Sequence, residues 1–128
     1  MRKITGIIDE DGFPVIPEVI IVNPLNNNSI KPKSIVDTGA VGLHIKDNII
    51  ESLALKSIDG TFTVHPIHGR QPIEIFEVML SIQGLDFGIM QVRTMLNNFP
   101  FDLIIGCGFL KDGIMVYDGV NKAIEITI

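Results

Sequence analysis

Apolar and polar residues alternate along most of this chain, and a period of two is typical of β-strands. In the first third, the pattern predicts strands over residues 4–8 and 15–22, with Asp11-Gly12 as the hairpin turn between them. Two prolines in or beside the second stretch place it at a sheet edge or give it an irregular start. Residues 23–33 are rich in asparagine and proline and predict a loop.

The next part of the chain predicts two short strands and one helix. Residues 34–36 and 43–45 are apolar and partly β-branched, which favours strands on either side of a turn. Asn48 and Glu51 have the spacing of a capping box. We therefore predict a short helix that begins there and ends at about residue 55.

Strand patterns return in the second half of the chain. The alternation over residues 62–82 predicts a long hairpin with Gly69 near its tip, because glycine allows the positive φ that a tight tip requires. Gln83-Gly84 predicts a turn into a strand over residues 87–92. The chain then closes on a predicted hairpin, with strands over residues 113–117 and 123–128.

Length and hydropathy bound the architecture. The chain is long enough to bury a core, and we expect one domain over residues 1–128. Hydrophobic residues make up 46% of it and the mean hydropathy is +0.39, which favours further burial in an oligomer. No apolar run approaches the ~18 residues that span a bilayer, and Asp9-Glu10-Asp11 interrupts any signal-peptide core. We expect no association with a membrane.

Charge and cysteine content limit the classes of binding partner and the cellular location that we expect for this protein. The net charge of −5, the absence of tryptophan and the lack of a basic run argue against nucleic-acid binding. The single cysteine, Cys107, cannot form an internal disulfide, so a reducing cytoplasm is the expected location. We interpret Cys107 as a small buried hydrophobic residue.

The segment Val36-Asp37-Thr38-Gly39-Ala40 carries the first candidate chemistry. It continues an apolar run and predicts a strand that ends in a tight turn. Such a strand end would fix the Asp37 carboxylate on rigid backbone, while Thr38 could bond to nearby main chain and Gly39 would let the turn close. The segment resembles the active-site motif of the retropepsin-like aspartic proteases, although Asp-Thr-Gly also occurs in ordinary turns.

A second segment reads Leu-Ile-Ile-Gly-Cys-Gly-Phe-Leu over residues 103–110. Its order and its spacing from Asp37 resemble the segment of retropepsin-like chains that lies beside the catalytic loop and leads into a short helix. The residues that match this second motif are Ile104, Ile105 and Gly106, and the glycine would permit close approach of the two backbones. The alternative interpretation is a buried strand with a glycine bend.

The resemblance implies a fold class. It is mostly β: a small closed β-barrel-like acid-protease lobe with one or two short helices and a flap hairpin. By the same resemblance, His68, Gly69 and Arg70 form the tip of a flap that covers the substrate. The last strand, residues 123–128, is a candidate edge for pairing with a second copy, or else an edge strand within the monomer.

The resemblance also implies an aspartic endopeptidase that acts on an extended peptide or protein. Hydrolysis by aspartates needs two carboxylates that share a proton. The chain has one Asp-Thr-Gly, so the second carboxylate would come from Asp37 of another copy in a homodimer. Thr38 would lock the two loops together and Gly39 would offer backbone to the substrate. No cofactor is expected.

Several positions qualify this picture. Val41-Gly42-Leu43 is apolar or bare where related enzymes often carry polar residues, and Gly108 stands where Asn or Asp is common. These departures leave open a catalytically weak or inactive module that binds a peptide or protein in the same groove. Ala40 has no hydroxyl to donate to the catalytic carboxylate, which predicts a working range from mildly acidic to near-neutral pH.

The remaining candidates are weaker. His65 and His68 are three residues apart and could bind a metal with His44 or Cys107, but a proline between them makes the hairpin a poor ligand scaffold. We expect no metal. Cys107 as a nucleophile lacks a base that the sequence places beside it. Asp102 lies next to the second segment but matches no catalytic position.

Overall fold

The computed structural model describes residues 2–65, 67 and 69–128. The strands are β1 (Lys3–Ile8), β2 (Pro14–Ile16), β3 (Val19–Val22), β4 (Ser29–Ile30), β5 (Ser34–Asp37), β6 (Leu43–Lys46), β7 (Asp59–His65), β8 (Gly69–Ile82), β9 (Leu85–Met95), β10 (Leu103–Gly106), β11 (Ile114–Asp118) and β12 (Ala123–Thr127). Among the described residues, the helices are α1 (Asp47–Ser52) and α2 (Cys107–Leu110). The predicted, mostly β architecture is confirmed.

The strands form one curled sheet around a core of aliphatic side chains. Their order is β11-β12-β1-β2-β5-β10-β6-β9-β8-β3-β4, and β7 pairs with β8. Alternate residues of each strand point to the same face, so one face collects the apolar positions. The most deeply buried of these residues include Ile4, Ile21, Ile45, Val78, Leu103, Ile105 and Ile126. The core therefore joins both ends of the chain to the middle strands.

The strand predicted over residues 15–22 is two strands. The chain turns at Pro17-Glu18, where Glu18 has a φ of 57°. On either side of this turn, β2 pairs with β1 and β5, whereas β3 pairs with β4 and β8. Proline cannot donate a ladder hydrogen bond, so the break lets the chain change neighbours. The predicted loop over residues 23–33 also contains the two-residue strand β4.

The predicted capping box of α1 is wrong. The helix begins at Asp47, and Lys46 at the N-cap makes no side-chain capping bond. The Asn48 N–H instead donates to Oδ1 of Asn97, a residue of a distant loop, at 3.1 Å. The side-chain oxygen of Asn97, a residue remote in sequence, therefore caps the start of the helix. The local pattern had assigned this role to Asn48 and Glu51.

The side chain of Gln83 ties the first strand to the β8–β9 hairpin. Gln83 and Gly84 form its two-residue turn, with φ values of 53° and 79°. The Gln83 Oε1 accepts the Thr5 N–H at 3.1 Å, and its Nε2 donates to the Thr5 carbonyl at 2.6 Å and to the Pro17 carbonyl at 3.2 Å. The side-chain amide of Gln83 thus bonds to the backbone of β1 as a neighbouring strand would. It joins β1 to the turn of the β8–β9 hairpin.

The last strand is not a free edge. β12 pairs with β1 on one side and with β11 on the other. The prediction that residues 123–128 offer an edge to a second copy is therefore wrong, because their ladder hydrogen bonds are already used within the chain. The outermost strand at this end of the sheet is β11. Its side chains Ile114 and Val116 are 65% and 52% exposed.

Candidate active site

Asp37 is the last residue of β5 and lies at the surface. The Ala40 N–H donates to the Asp37 carbonyl at 3.1 Å, which closes a tight turn, and the Gly39 N–H donates to the Asp37 Oδ1 at 2.8 Å. A Cβ at position 39 would lie 3.1 Å from the same oxygen. The strand end and the Gly39 N–H therefore orient an exposed carboxylate. The sequence predicted the strand end at Asp37 and the tight turn, but not the bond from Gly39.

The second sequence motif lies beside this turn. β10 runs parallel to β5, with Ile104 opposite Ile35 and Gly106 opposite Asp37. The Gly106 N–H donates to the Gly42 carbonyl at 3.0 Å. A Cβ on Gly106 would lie only 2.4 Å from that oxygen. The predicted close approach of the two backbones is confirmed, and α2 follows directly, as expected.

Two further backbone bonds fasten the start of α2 to the Asp37 loop. The Cys107 N–H donates to the Ala40 carbonyl and the Gly108 N–H to the Val41 carbonyl, both at 2.8 Å. A Cβ on Gly108 would lie 2.6 Å from the Val41 oxygen. Gly108 is thus the residue that this packing requires, which explains the departure noted in the sequence. The consecutive bonds hold the Asp37 loop from one side.

Cys107 is exposed, so its interpretation as a buried hydrophobic residue is wrong. It is the first residue of α2, where its backbone is bonded to the loop while its side chain faces outward. Thr38 and Val41 are also exposed on the loop, Val41 at 70%. The loop therefore presents one carboxylate, one hydroxyl and one apolar side chain at the surface.

Asp102, the acidic residue beside the second motif, has partners of its own. Its Oδ1 lies 3.4 Å from Nζ of Lys46, and its Oδ2 accepts the Lys33 N–H at 3.0 Å. These bonds fasten the start of β10 to its neighbours. No group of three or more metal-ligating side chains occurs within the described residues.

The predicted flap is a hairpin. β7 pairs with residues 69–75 of β8, from Asp59 opposite Ile75 to His65 opposite Gly69, and Gly69 has a φ of 68° as predicted for the tip. The backbone of Arg70 continues β8. His68 lies outside the described residues. The covering of a substrate by this hairpin stays a prediction.

Ile104, His44 and Arg93 form a row on the sheet face that carries Asp37. The sequence did not predict that these three residues lie together. The register places Ile104 opposite His44, and His44 opposite Arg93 of β9. Burial lowers the pKa of His44 below its ordinary 6.5, and Arg93 adds to this, whereas a hydrogen bond with the Thr94 backbone and the charge of Asp37 act in the opposite direction. Only the strand register brings these residues together, so a linear motif could not reveal them.

Comparison with known proteins identifies the fold. By sequence, no family model and no curated protein matches the chain. By structure, a retropepsin-like aspartic protease from Rickettsia conorii matches 98% of this chain and 89% of its own, with a TM-score of 0.70 and 20% identity. The protease of Simian Foamy Virus (mac) matches 74% of this chain and 90% of its own, with a TM-score of 0.53 and 15% identity. No described helix is long and apolar enough to cross a membrane.

Proposed function

We propose that this chain, whose fold is that of the retropepsin-like aspartic proteases, is an aspartic endopeptidase whose active site is completed by a second copy of itself. The observation that carries the proposal is the Asp37 turn. Its carboxylate is exposed, oriented by the Gly39 N–H and held on a loop fastened to β10. A single such carboxylate on a rigid surface loop is half of an aspartate pair.

Hydrolysis by this mechanism requires two aspartate carboxylates, so a second copy of the chain is needed to supply the second one. Two like charges a few ångströms apart do not both ionise readily, so the pair holds one proton. The ionised Asp37 takes a proton from water as the water oxygen bonds to the peptide carbonyl carbon, and the protonated Asp37 donates its proton to the carbonyl oxygen. Collapse of the tetrahedral intermediate, with transfer of a proton to the nitrogen, breaks the C–N bond and releases an acid and an amine.

The neighbouring residues have supporting roles in this proposal. Thr38 of each copy bonds to the opposite loop, Gly39 offers its backbone to an extended peptide, and the hairpin around Gly69 covers the peptide. The exposed apolar edge formed by β11 is the surface where we place contact between the two copies, since β12 is already paired on both sides. A reducing cytoplasm suits the one free thiol.

The test is Asp37→Asn, which keeps the shape of the side chain and removes its acid–base function. We expect cleavage of a diverse peptide mixture, followed by mass spectrometry, to fall by at least about 100-fold. The matched control is Asp86→Asn, because the Asp86 Oδ1 also accepts the N–H of a glycine two residues on, at 2.8 Å, at the start of β9 rather than in the Asp37 loop. That variant should cleave like wild type.

Circular dichroism and sedimentation should show that both variants keep the fold and the oligomeric state. Equal cleavage by wild type and Asp37→Asn would end the peptidase proposal. Peptide binding without turnover by wild type would favour the alternative of an inactive binding module.

A further inference from the structure

A row of side chains on one face of the sheet runs from the candidate catalytic residue, Asp37, across β10 and β6 to β9. Asp37 is two residues after Ile35, so both lie on the same face of β5. Ile35 is opposite Ile104, Ile104 is opposite His44, and His44 is opposite Arg93. Paired residues of neighbouring strands share a face, so Asp37, Ile104, His44 and Arg93 line one continuous surface.

The space between Asp37 and this row is open over Gly42. Beside Gly106, the residue opposite Asp37, the backbone of residues 40–42 fills the space, since a Cβ there would lie 2.4 Å from the Gly42 carbonyl oxygen. Gly42 lies two residues before His44, and a Cβ built there would meet no other atom within 4 Å. Asp37 acts on the protonation of His44, which places the two groups within electrostatic reach. A chain lying over Asp37 therefore finds room to extend a side chain toward His44 and Arg93.

Arg93 is partly buried and is in none of the salt bridges that link described residues. Among the side chains that the structure describes, the charged groups on this face include Asp102 and Lys46, which pair with each other at 3.4 Å, and Glu77 of β8, which lies opposite Gln91. In the strand register, Asp59 of β7 is opposite Ile75, which is opposite Arg93. A half-buried guanidinium that has no carboxylate partner among the described side chains retains strong donors for a planar anion. Ile104 supplies an apolar floor beside His44.

We propose that Arg93 and His44 form a subsite for a carboxylate side chain, Asp or Glu, of the bound peptide. The inference rests on the proposed peptidase function, because it places the peptide over Asp37. Neighbouring strands are ~4.8 Å apart and same-side residues of an extended peptide are ~6.7 Å apart. β6 and β9 are two and three strands from β5, about 10 and 14 Å, so the acidic residue lies about two to four positions from the bond that is cleaved. In a two-fold dimer, each copy supplies one such subsite, on either side of that bond.

Binding to Asp37→Asn protein tests the subsite without requiring catalysis. The probes are fluorescent octapeptides of apolar residues with one Glu, Gln or Leu moved through each position, measured by anisotropy. We expect Glu to bind at least about tenfold more tightly than Gln at one or two positions only, as a charge-assisted bond to arginine provides.

Variants assign the preference to its residues. Arg93→Met should bring the Glu-to-Gln ratio close to one while Gln peptides bind as before, and Arg93→Lys should retain part of it. Lys111→Met, which removes a positive charge from an exposed position after α2, is the matched control and should keep the full ratio. The ratio should rise as the pH falls into the range where His44 takes up a proton, below its ordinary pKa of 6.5, and His44→Gln should abolish this rise.

The outcomes separate the two proposals. A Glu preference that depends on Arg93, in a protein whose wild type cleaves nothing, would refute the peptidase and support the subsite. Cleavage by wild type with equal rates for Glu and Gln peptides would refute the subsite and leave the peptidase standing. A Glu preference that survives in Arg93→Met, or failure of every octapeptide to bind, would also overturn the subsite.

Discussion

At position 44, a partly buried histidine couples the stability of the lobe to pH. Burial is the largest cause that lowers the pKa of His44 below 6.5, and the neighbouring charges of Arg93 and Asp37 act against each other. The unfolded chain therefore binds a proton at a higher pH than the folded chain. The contribution of His44 to stability is complete above pH 6.5 and is lost as the pH falls through 6.5 toward the lower folded value.

We expect the Tm of the His44→Gln variant to fall less than the Tm of wild type when the pH is lowered. The measurement is Tm by circular dichroism between pH 7.5 and pH 5.5 for the two proteins. The Tm of the variant relative to wild type should rise as the pH falls, because glutamine takes up no proton on unfolding. The histidines at positions 65 and 68 are present in both proteins, so their effects cancel. Parallel curves would show that His44 is not held neutral by its surroundings.

The residues of the Asp37 loop were predictable because their chemistry is local. An acidic residue, a hydroxyl and a glycine in sequence describe a turn, and Gly106 was predicted as a point of close approach. Cys107 was not, since composition favours burial whereas its place in the first turn of α2 decides exposure. Arg93 was missed because its neighbours on the site face come from other strands.

At the scale of the element, α1 depends on a partner outside itself. With no side-chain bond from its own N-cap, the helix uses Oδ1 of Asn97 to accept the Asn48 N–H. We expect Asn97→Ala to lower the free energy of unfolding by about 1 kcal/mol, as loss of a capping acceptor does. Chemical denaturation measures this change.

Glu51→Ala is the control for the helix experiment. A capping box would make Glu51 bond to the start of the helix, whereas the structure leaves its side chain exposed. We expect this variant to unfold with an unchanged midpoint. A larger loss from Glu51→Ala than from Asn97→Ala would restore the local cap and refute the remote one.

The elements were predicted well where the sequence period decides them and less well where partners do. The long β7–β8 hairpin and its glycine tip follow from alternation and turn chemistry. The division of residues 15–22 into β2 and β3 does not, because both halves have the same pattern and differ only in the strands beside them. The register of distant strands is absent from local sequence.

At the scale of the whole molecule, the proposed site requires association. We expect wild type to sediment as a dimer in the micromolar range and Val116→Lys to shift it toward monomer with loss of peptidase activity. The reason is that Val116 is 52% exposed on β11, the outermost strand, where a charge would oppose apolar contact.

Val120→Lys is the matched control, because Val120 is 90% exposed in the turn after β11 rather than on the strand. It should associate and cleave like wild type. Dimers of unchanged strength in Val116→Lys would move the contact between copies away from β11. A monomer at every concentration of wild type would remove the basis of the two-carboxylate site.

The bond between Gln83 and Thr5 also bears on how the lobe forms and how long it lasts. The two residues are 78 positions apart, so their contact closes a long stretch of chain and forms after the local hairpins. An interaction made late in folding contributes little to the folding rate and mainly slows unfolding. The Gln83 amide would then set the lifetime of the closed lobe, and through it the time for which the first strand stays protected from exchange and proteolysis.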